Sequence, residues 1–339
     1  MKRIKIALVG CGRIGLHHAQ LIAANPKLEL VGLCDAAARP PLSAVFSNIP
    51  FFHSLAELLA APVKPELVSI ATPNGMHEQN ACEAMLAGCD VIIEKPMAPT
   101  AEACRRILQV AEENNRRVFC IMQNRFSAPA RWLTELREKD LLGDPFFLQV
   151  NCFWNRDERY YTGHDWHGDK TTDGGTLFTQ FSHFIDTIYW LFGELQPVLS
   201  QFGNFTHGKS IAFEDTGTVS FRFGKRGIGN INFSTSAVLQ NAETSFTLLT
   251  DKATLRIEGQ YFDTIAYSAF TGGTNPPAVV PVPVPEALKN SGLKNLNHYL
   301  VFDQIADALN GLPAAVTDGK EGLRVVEIIE QMYAAALQK

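Results

Sequence analysis

The chain has no apolar run approaching the roughly 18 residues of a membrane-spanning helix. It also has no block of like charge and no paired Cys-x-x-Cys of the zinc or redox kind. Each absence removes a class of protein. With 30 Lys and Arg against 35 Asp and Glu, the net charge is −5, which gives no electrostatic argument for a nucleic-acid or membrane partner. The seven cysteines are odd in number, scattered, and set mostly in apolar segments. They read as small buried hydrophobes in a reducing compartment, so the cytoplasm is expected. Met1-Lys2-Arg3 imitates the start of a signal peptide, but the short apolar run after it feeds straight into a glycine turn and reads as a core strand. A GxSxG nucleophile elbow and a P-loop are both missing.

What is present begins at once. Ile4–Val9 reads as a buried strand, Gly10-Cys11-Gly12-Arg13-Ile14-Gly15 as a tight turn opening a helix, and Leu28–Cys34 as a second strand delivering Asp35. Strand, turn, helix, strand and acid in register form the fingerprint of a dinucleotide site. The glycines let bare backbone approach a pyrophosphate, and the uncapped helix start stabilises it. Asp35 suits two ribose hydroxyls and repels a 2′-phosphate, which favours NAD over NADP. Arg39, close behind it, is the one residue in this loop that could accommodate that phosphate.

The length of 339 residues suits two domains. Through residue 125, strands alternate with helices of 8–16 residues, which predicts an α/β, doubly wound parallel sheet. Its strand ends carry Gly10, Asp35, Thr72-Pro73-Asn74 and Glu94-Lys95-Pro96. From about Phe146 the texture becomes antiparallel: an aromatic strand, a helix over 174–192, then β-like stretches joined by Gly224–Gly227 and Asp251-Lys252 turns. The expected division is a Rossmann domain over 1–125 and an α+β domain over 126–339, with a large, mostly antiparallel sheet. The two closing amphipathic helices are free to pack back on the first domain. Asn275–Pro285, with five prolines, reads as a surface loop.

Several residues stand out as candidates for chemistry. Lys95 follows an apolar strand and precedes a proline, so an ammonium is fixed at the carboxyl end of the sheet. On an ideal helical wheel, His183 falls with Thr179 and Asp186 on the face opposite Phe181, Phe184, Ile185 and Ile188, and its ordinary pKa suits proton exchange with an alcohol. Gln180 lies between the two faces and could reach a substrate. Thr72 and Asn74 are placed to touch a cofactor, and His77 reads equally as structural or functional. His17 and His18 read as packing or solvent-facing. Trp154-Asn155-Arg156, Tyr160-Tyr161 and His164-Asp165-Trp166-His167 form an aromatic and basic segment suited to stacking and anion pairing. The last four residues raise a metal site but offer no third ligand, so no metal is expected.

Taken together, Gly10–Gly15, Asp35, Thr72-Pro73-Asn74 with His77, Glu94-Lys95-Pro96, Gly174-Gly175-Thr176-Leu177 and His183 with Asp186 resemble the Gfo/Idh/MocA oxidoreductases over essentially the whole length. The resemblance implies hydride exchange between a sugar or cyclitol hydroxyl and NAD, or less readily NADP. It makes Lys95 the catalytic lysine and His183 the acid/base. It places Gly10, Gly12, Arg13, Ile14, Gly15, Asp35, Thr72, Asn74, His77, Glu94 and Lys95 against the cofactor. Many members carry Asp or Asn four residues before the histidine, where this chain has Thr179 followed by Gln180.

Gln123-Asn124-Arg125-Phe126 and the segment from Trp154 to Gly175 resemble the branch that oxidises C3 of UDP-linked N-acetylamino sugars, although His167 stands where that branch has Arg. The implied substrate contacts are Lys95, Gln123, Arg125, Trp154, Arg156, Trp166, Thr179, Gln180 and His183, with Lys170 a further cation for a diphosphate or carboxylate. The implied assembly is a homodimer or homotetramer. Three alternatives stay open: a dehydrogenase of free sugars or inositols, an NAD-dependent glycosidase, and a non-catalytic NAD sensor.

Overall fold

The computed structural model describes residues 2–37, 46–162, 166–273, 275–289, 293 and 296–336. Arg39, His164 and Asp165 lie outside the described residues. The chain divides into two compact units, Met1–Gln123 with Pro283–Val326, and Asn124–Val282 with Glu327–Lys339.

The first unit is a six-stranded parallel sheet. Its strands are β1 (Ile4–Val9), β2 (Leu28–Cys34), β3 (Phe51–Phe52), β4 (Leu67–Ile70), β5 (Asp90–Ile93) and β6 (Val118–Cys120). They lie in the order β3-β2-β1-β4-β5-β6, the dinucleotide-binding arrangement. Every residue of β4 and β5 is buried, as expected for parallel strands covered on both faces. The connecting helices are α1 (Arg13–Ala24), α2 (Leu55–Ala60), α3 (His77–Leu86) and α4 (Ala101–Glu113). Ser54 and Thr100 start α2 and α4 by accepting the N–H of Glu57 and Ala103. Two later segments complete this unit: α8 (Asn297–Leu309) and the first part of α9 (Gly319–Ala334). α9 approaches the sheet through glycine, since a Cβ on Gly322 would lie 2.4 Å from the Cys120 sulfur.

The second unit holds α5 (Ala128–Glu138), β7 (Pro145–Phe153), α6 (Glu158–Thr162), α7 (Ser182–Phe192) and six further strands. These are β8 (Leu195–Gly203), β9 (Thr216–Phe223), β10 (Gly227–Ser234), β11 (Glu243–Thr250), β12 (Ala253–Glu258) and β13 (Thr264–Phe270). The seven strands run β13-β12-β11-β7-β10-β9-β8, antiparallel except where β7 and β10 pair in parallel. One face of the sheet is apolar and closed, with Val150, Phe221, Ile231, Phe233 and Phe246 fully buried. The other carries a polar ribbon. Thr218 donates to Asn232, Asn232 to Asn151, and Asn151 to Glu243, at 2.7, 3.0 and 3.0 Å.

One expected element changes shape. The helix read over 174–192 begins with a π turn at Leu177–Phe181 and becomes α-helical only at Ser182. The wider turn breaks the 100° phase between Thr179 and His183. Asp186 and Thr187 are completely buried, so no solvent-facing polar stripe runs along this helix. Asn275–Pro285 carries no regular structure, and Pro277 accepts the Trp132 indole N–H at 2.7 Å.

Candidate active site

The dinucleotide turn has the geometry that its glycines imply. Gly10 sits at φ +90°, and a Cβ there would lie 2.5 Å from the Ala71 carbonyl oxygen. A Cβ on Gly15 would overlap the Gly10 carbonyl at 1.8 Å, so α1 can press against the turn only without one. At Gly12 the same atom would meet nothing, so open space faces the helix start. α1 begins with no side-chain cap and no acid in its first turn, so nothing competes with an incoming anion for the N–H groups of Arg13, Ile14 and Gly15. Asp35 accepts the Cys11 N–H at 2.6 Å and the Ala37 N–H at 2.8 Å, which fixes its carboxylate beside the glycine turn. These residues fit an NAD pyrophosphate and ribose.

At the next two strand ends the polar groups are tied to one another. His77 is fully buried, with Nδ1 2.9 Å from the Pro96 carbonyl and Nε2 2.9 Å from the Thr72 carbonyl. Burial drives its pKa down, while the carbonyl acceptors act in the opposite sense. The Thr72 hydroxyl accepts from Asn80 at 3.0 Å, and Asn74 is buried at the start of the turn that leads into α3. Lys95 is half-buried, and the Lys95–Pro96 peptide is cis. The Lys95 N–H donates to Glu94 Oε2 at 2.9 Å.

In the second unit, His183 is buried on the first turn of α7, and its carbonyl accepts the Thr187 hydroxyl at 2.7 Å. Arg125 makes a two-pronged buried ion pair with Asp186, at 2.9 Å from Nε and 2.6 Å from a terminal nitrogen. Thr179 donates to the Asp173 carboxylate and carbonyl. Arg156 donates to Gln180 Oε1 at 2.9 Å and lies over the rings of Trp154 and Tyr160, while Gln180 donates to the Tyr160 hydroxyl at 2.7 Å. Trp154 is itself buried, its indole N–H held by Thr244 at 2.7 Å. Trp166 and His167 are half-exposed, with His167 stacked on Tyr160, and Lys170 is exposed.

Two groups, buried Glu214 and half-buried Tyr333, escape a sequence reading. Glu214 and Tyr333 are hydrogen-bonded at 2.6 Å and brace the turn before the π segment. Glu214 accepts the Thr176 N–H, and the Tyr333 hydroxyl meets the Leu177 N–H. Gly175, at φ +135°, leaves room for the Tyr333 hydroxyl, which would lie 2.4 Å from a Cβ. Burial pushes the Glu214 carboxyl up to about 7 despite the hydrogen bonds it accepts. Nothing local marks the pair, because the two residues stand 119 positions apart.

The Gfo/Idh/MocA model described as an NAD-binding Rossmann fold matches residues 4–122, and the model of that family's C-terminal domain matches residues 130–256. Among solved structures, the WlbA dehydrogenase of Bordetella pertussis, in complex with NADH and UDP-GlcNAcA, is 30% identical with a TM-score of 0.84. The likeness covers 98% of this chain and 96% of that one. D-glucoside 3-dehydrogenase of Escherichia coli K12 is 29% identical over 144 residues, 42% of this chain and 41% of that protein. The scyllo-inositol 2-dehydrogenase (NADP(+)) of Bacillus subtilis is 27% identical over 194 residues, 56% of this chain and 52% of that protein. The first curated relatives are spanned over 39% and 59% of their own lengths. The chain belongs to the Gfo/Idh/MocA oxidoreductase family, and its first unit is that family's NAD-binding Rossmann fold.

Proposed function

We propose that this protein is an NAD-dependent sugar dehydrogenase whose substrate is a UDP-linked N-acetylamino sugar, oxidised at C3. The observation that carries the reading is the full-length likeness, at 30% identity, to a dehydrogenase holding NADH and UDP-GlcNAcA. Bound NAD supplies the hydride acceptor. His183 takes the proton of the reacting hydroxyl, and Lys95 stabilises the oxygen as its negative charge develops. Gly10, Gly12, Arg13, Ile14, Gly15 and Asp35 hold pyrophosphate and ribose, with Thr72, Asn74, His77 and Glu94 shaping the strand ends beside them. Asp35 disfavours a 2′-phosphate, which makes NAD the cofactor of choice. Gln123, Arg125, Arg156, Trp154, Trp166, Thr179 and Gln180 form or support the sugar-binding surface.

A second reading, an uncharged glycoside or polyol as substrate, is favoured by one observation. Arg125 is engaged by Asp186, and Arg156 by Gln180 and two aromatic rings, so two of the three cations suited to a diphosphate already have partners. The test is to incubate the protein with NAD and, separately, UDP-GlcNAc, its uronic acid, a methyl glucoside and inositol, following NADH and product mass. The expected result is loss of two hydrogens from a UDP-sugar, abolished in His183→Ala. Oxidation of the unlinked sugars alone would transfer the protein to the second reading. Binding of NAD without turnover of any of the four would leave a sensor.

A further inference from the structure

Glu94 is a carboxylate at the end of β5, closed off from solvent, where four elements of the first unit converge. Its Oε2 accepts the Lys95 N–H at 2.9 Å. Its Oε1 lies 3.0 Å from His18 Nε2, on α1, and 3.5 Å from His298 Nε2, on α8. The other nitrogen of His18 is 3.3 Å from the Ser69 hydroxyl on β4. The surroundings are apolar, with Phe302 edge-on to the His18 ring at 5.1 Å.

The direction of these bonds follows from the chemistry. Burial alone would raise the Glu94 pKa, but its interactions with His18 and His298 outweigh it and hold the carboxyl well below its ordinary value. Burial lowers His18, so at neutral pH its Nε2–H donates to Glu94 while Nδ1 accepts from Ser69. Buried polar networks of this kind often add little net stability over apolar packing, but they impose one arrangement on the groups they join.

The group being arranged is the peptide that joins Glu94 to Lys95. An acceptor fixed on the Lys95 N–H sets the plane of that peptide, and with it the direction in which the lysine side chain leaves the strand. On the far side of Lys95 the Pro96 carbonyl is held by His77. We propose that His18 and His298 act through Glu94 as positioning residues for Lys95, a role that rests on the assignment of Lys95 to the reaction. α8 thereby contributes His298 to the active-site side of the sheet from just over two hundred residues downstream.

A divalent cation is the competing account, since the three donor atoms lie within 4.8 Å of one another. The 3.0 Å separation of His18 Nε2 from Glu94 already matches donor to acceptor. Three protein ligands in a closed, buried place would also leave the fourth vertex of a tetrahedral site unfilled.

The experiment compares His18→Leu and His298→Leu with His18→Gln and His298→Gln, which keep a side-chain N–H donor. Lys95 is read directly by NMR of protein carrying ¹³C-methylated lysines, its resonance assigned by its loss in Lys95→Arg. The kcat, the Kd for NAD, the Tm and the metal content are measured alongside. Misplacing a reacting group by 1 Å costs about a hundredfold in rate. The leucine variants should therefore move or split the Lys95 resonance and lower kcat by about ten- to a hundredfold. Their NAD affinity should be retained, and the glutamine variants should restore both signals. Where a leucine variant does not fold, the comparison of the glutamine variants with wild type stands: a Lys95 resonance displaced along with Tm in both would defeat the proposal. An unmoved Lys95 resonance in folded leucine variants would overturn it. A stoichiometric metal whose chelation reproduces the effect would do the same. If the resonance moves as expected while the wild type oxidises no sugar, positioning stands and the functional reading falls.

Discussion

Asp35 illustrates how one side chain serves fold and ligand together. Its two oxygens take the N–H groups of Cys11 and Ala37, so the charge is fixed beside the glycine turn and is costly to move. Losing a charge-assisted hydrogen bond costs about 1.5–3 kcal/mol, or roughly ten- to a hundredfold in affinity. Asp35→Ser should therefore raise the KM for NAD by about tenfold or more while relaxing the discrimination against NADP. Steady-state kinetics with both cofactors checks this, and an unchanged preference would show that the selectivity lies elsewhere. Arg125 and Asp186 show the opposite division of labour. Both are buried and bonded at two points, so removing either strands a charge at about 3–5 kcal/mol. Effects of Arg125→Ala on turnover must accordingly be judged against Tm.

The turn and π segment before α7 depend on groups that local pattern does not reveal. Folded, Glu214 keeps its proton up to about pH 7; its ordinary value is 4.5. Between those values the folded chain binds more protons than the unfolded one, so the stabilisation is complete below about 4.5 and is lost as pH rises through about 7. Glu214→Gln, neutral at every pH and still able to accept from Thr176 and Tyr333, should gain Tm relative to wild type at pH 8 compared with pH 5. An identical difference at both pH values would exclude this titration. The same segment marks where pattern reading fails. Gly174-Gly175 announces a turn, and His183 stands where the motif requires it, but a helical wheel assumes a constant 100° step that the π turn does not keep. The first unit is legible because β4 and β5 are apolar but for Ser69 and Asp90, and Gly10–Gly15 is chemically unambiguous. α5 is obscured by Pro129 in its first turn, where proline is tolerated. The edge strand β13 is exposed along much of its length, so it shows no alternation to read.

At the scale of the whole chain, the parallel sheet order and the mostly antiparallel second sheet follow the expected α/β plan, whereas strand order in the second sheet was not readable. Periodicity tells which residues share a face but not which strand lies next to which. The open face of that sheet is mixed. The polar ribbon from Thr218 to Glu243 runs beside an apolar row in which Ile228 pairs with Phe147, and Phe147 with Leu249. Ile228 is 56% exposed. Such a surface suits contact with a second copy of the chain. We expect a homodimer or homotetramer by light scattering at micromolar concentration, and Ile228→Lys should shift it towards monomer. A monomeric wild type would refute the assembly, and an unaffected variant would move the contact away from this face.

The parallel pairing of β7 with β10 also bears on how the chain reaches its fold. β7 emerges first, yet both of its neighbours, β10 and β11, are encoded some eighty to one hundred residues later. The hairpins β8–β9–β10 and β11–β12–β13 can zip locally, because each joins strands adjacent in sequence. β7 instead waits through the synthesis of everything between them, with Leu148, Val150 and Cys152 uncovered. Closing loops of that length is the slow part of building non-local sheets. The central strand of this sheet therefore waits longest for a partner, and during translation it is the segment with most need of shielding.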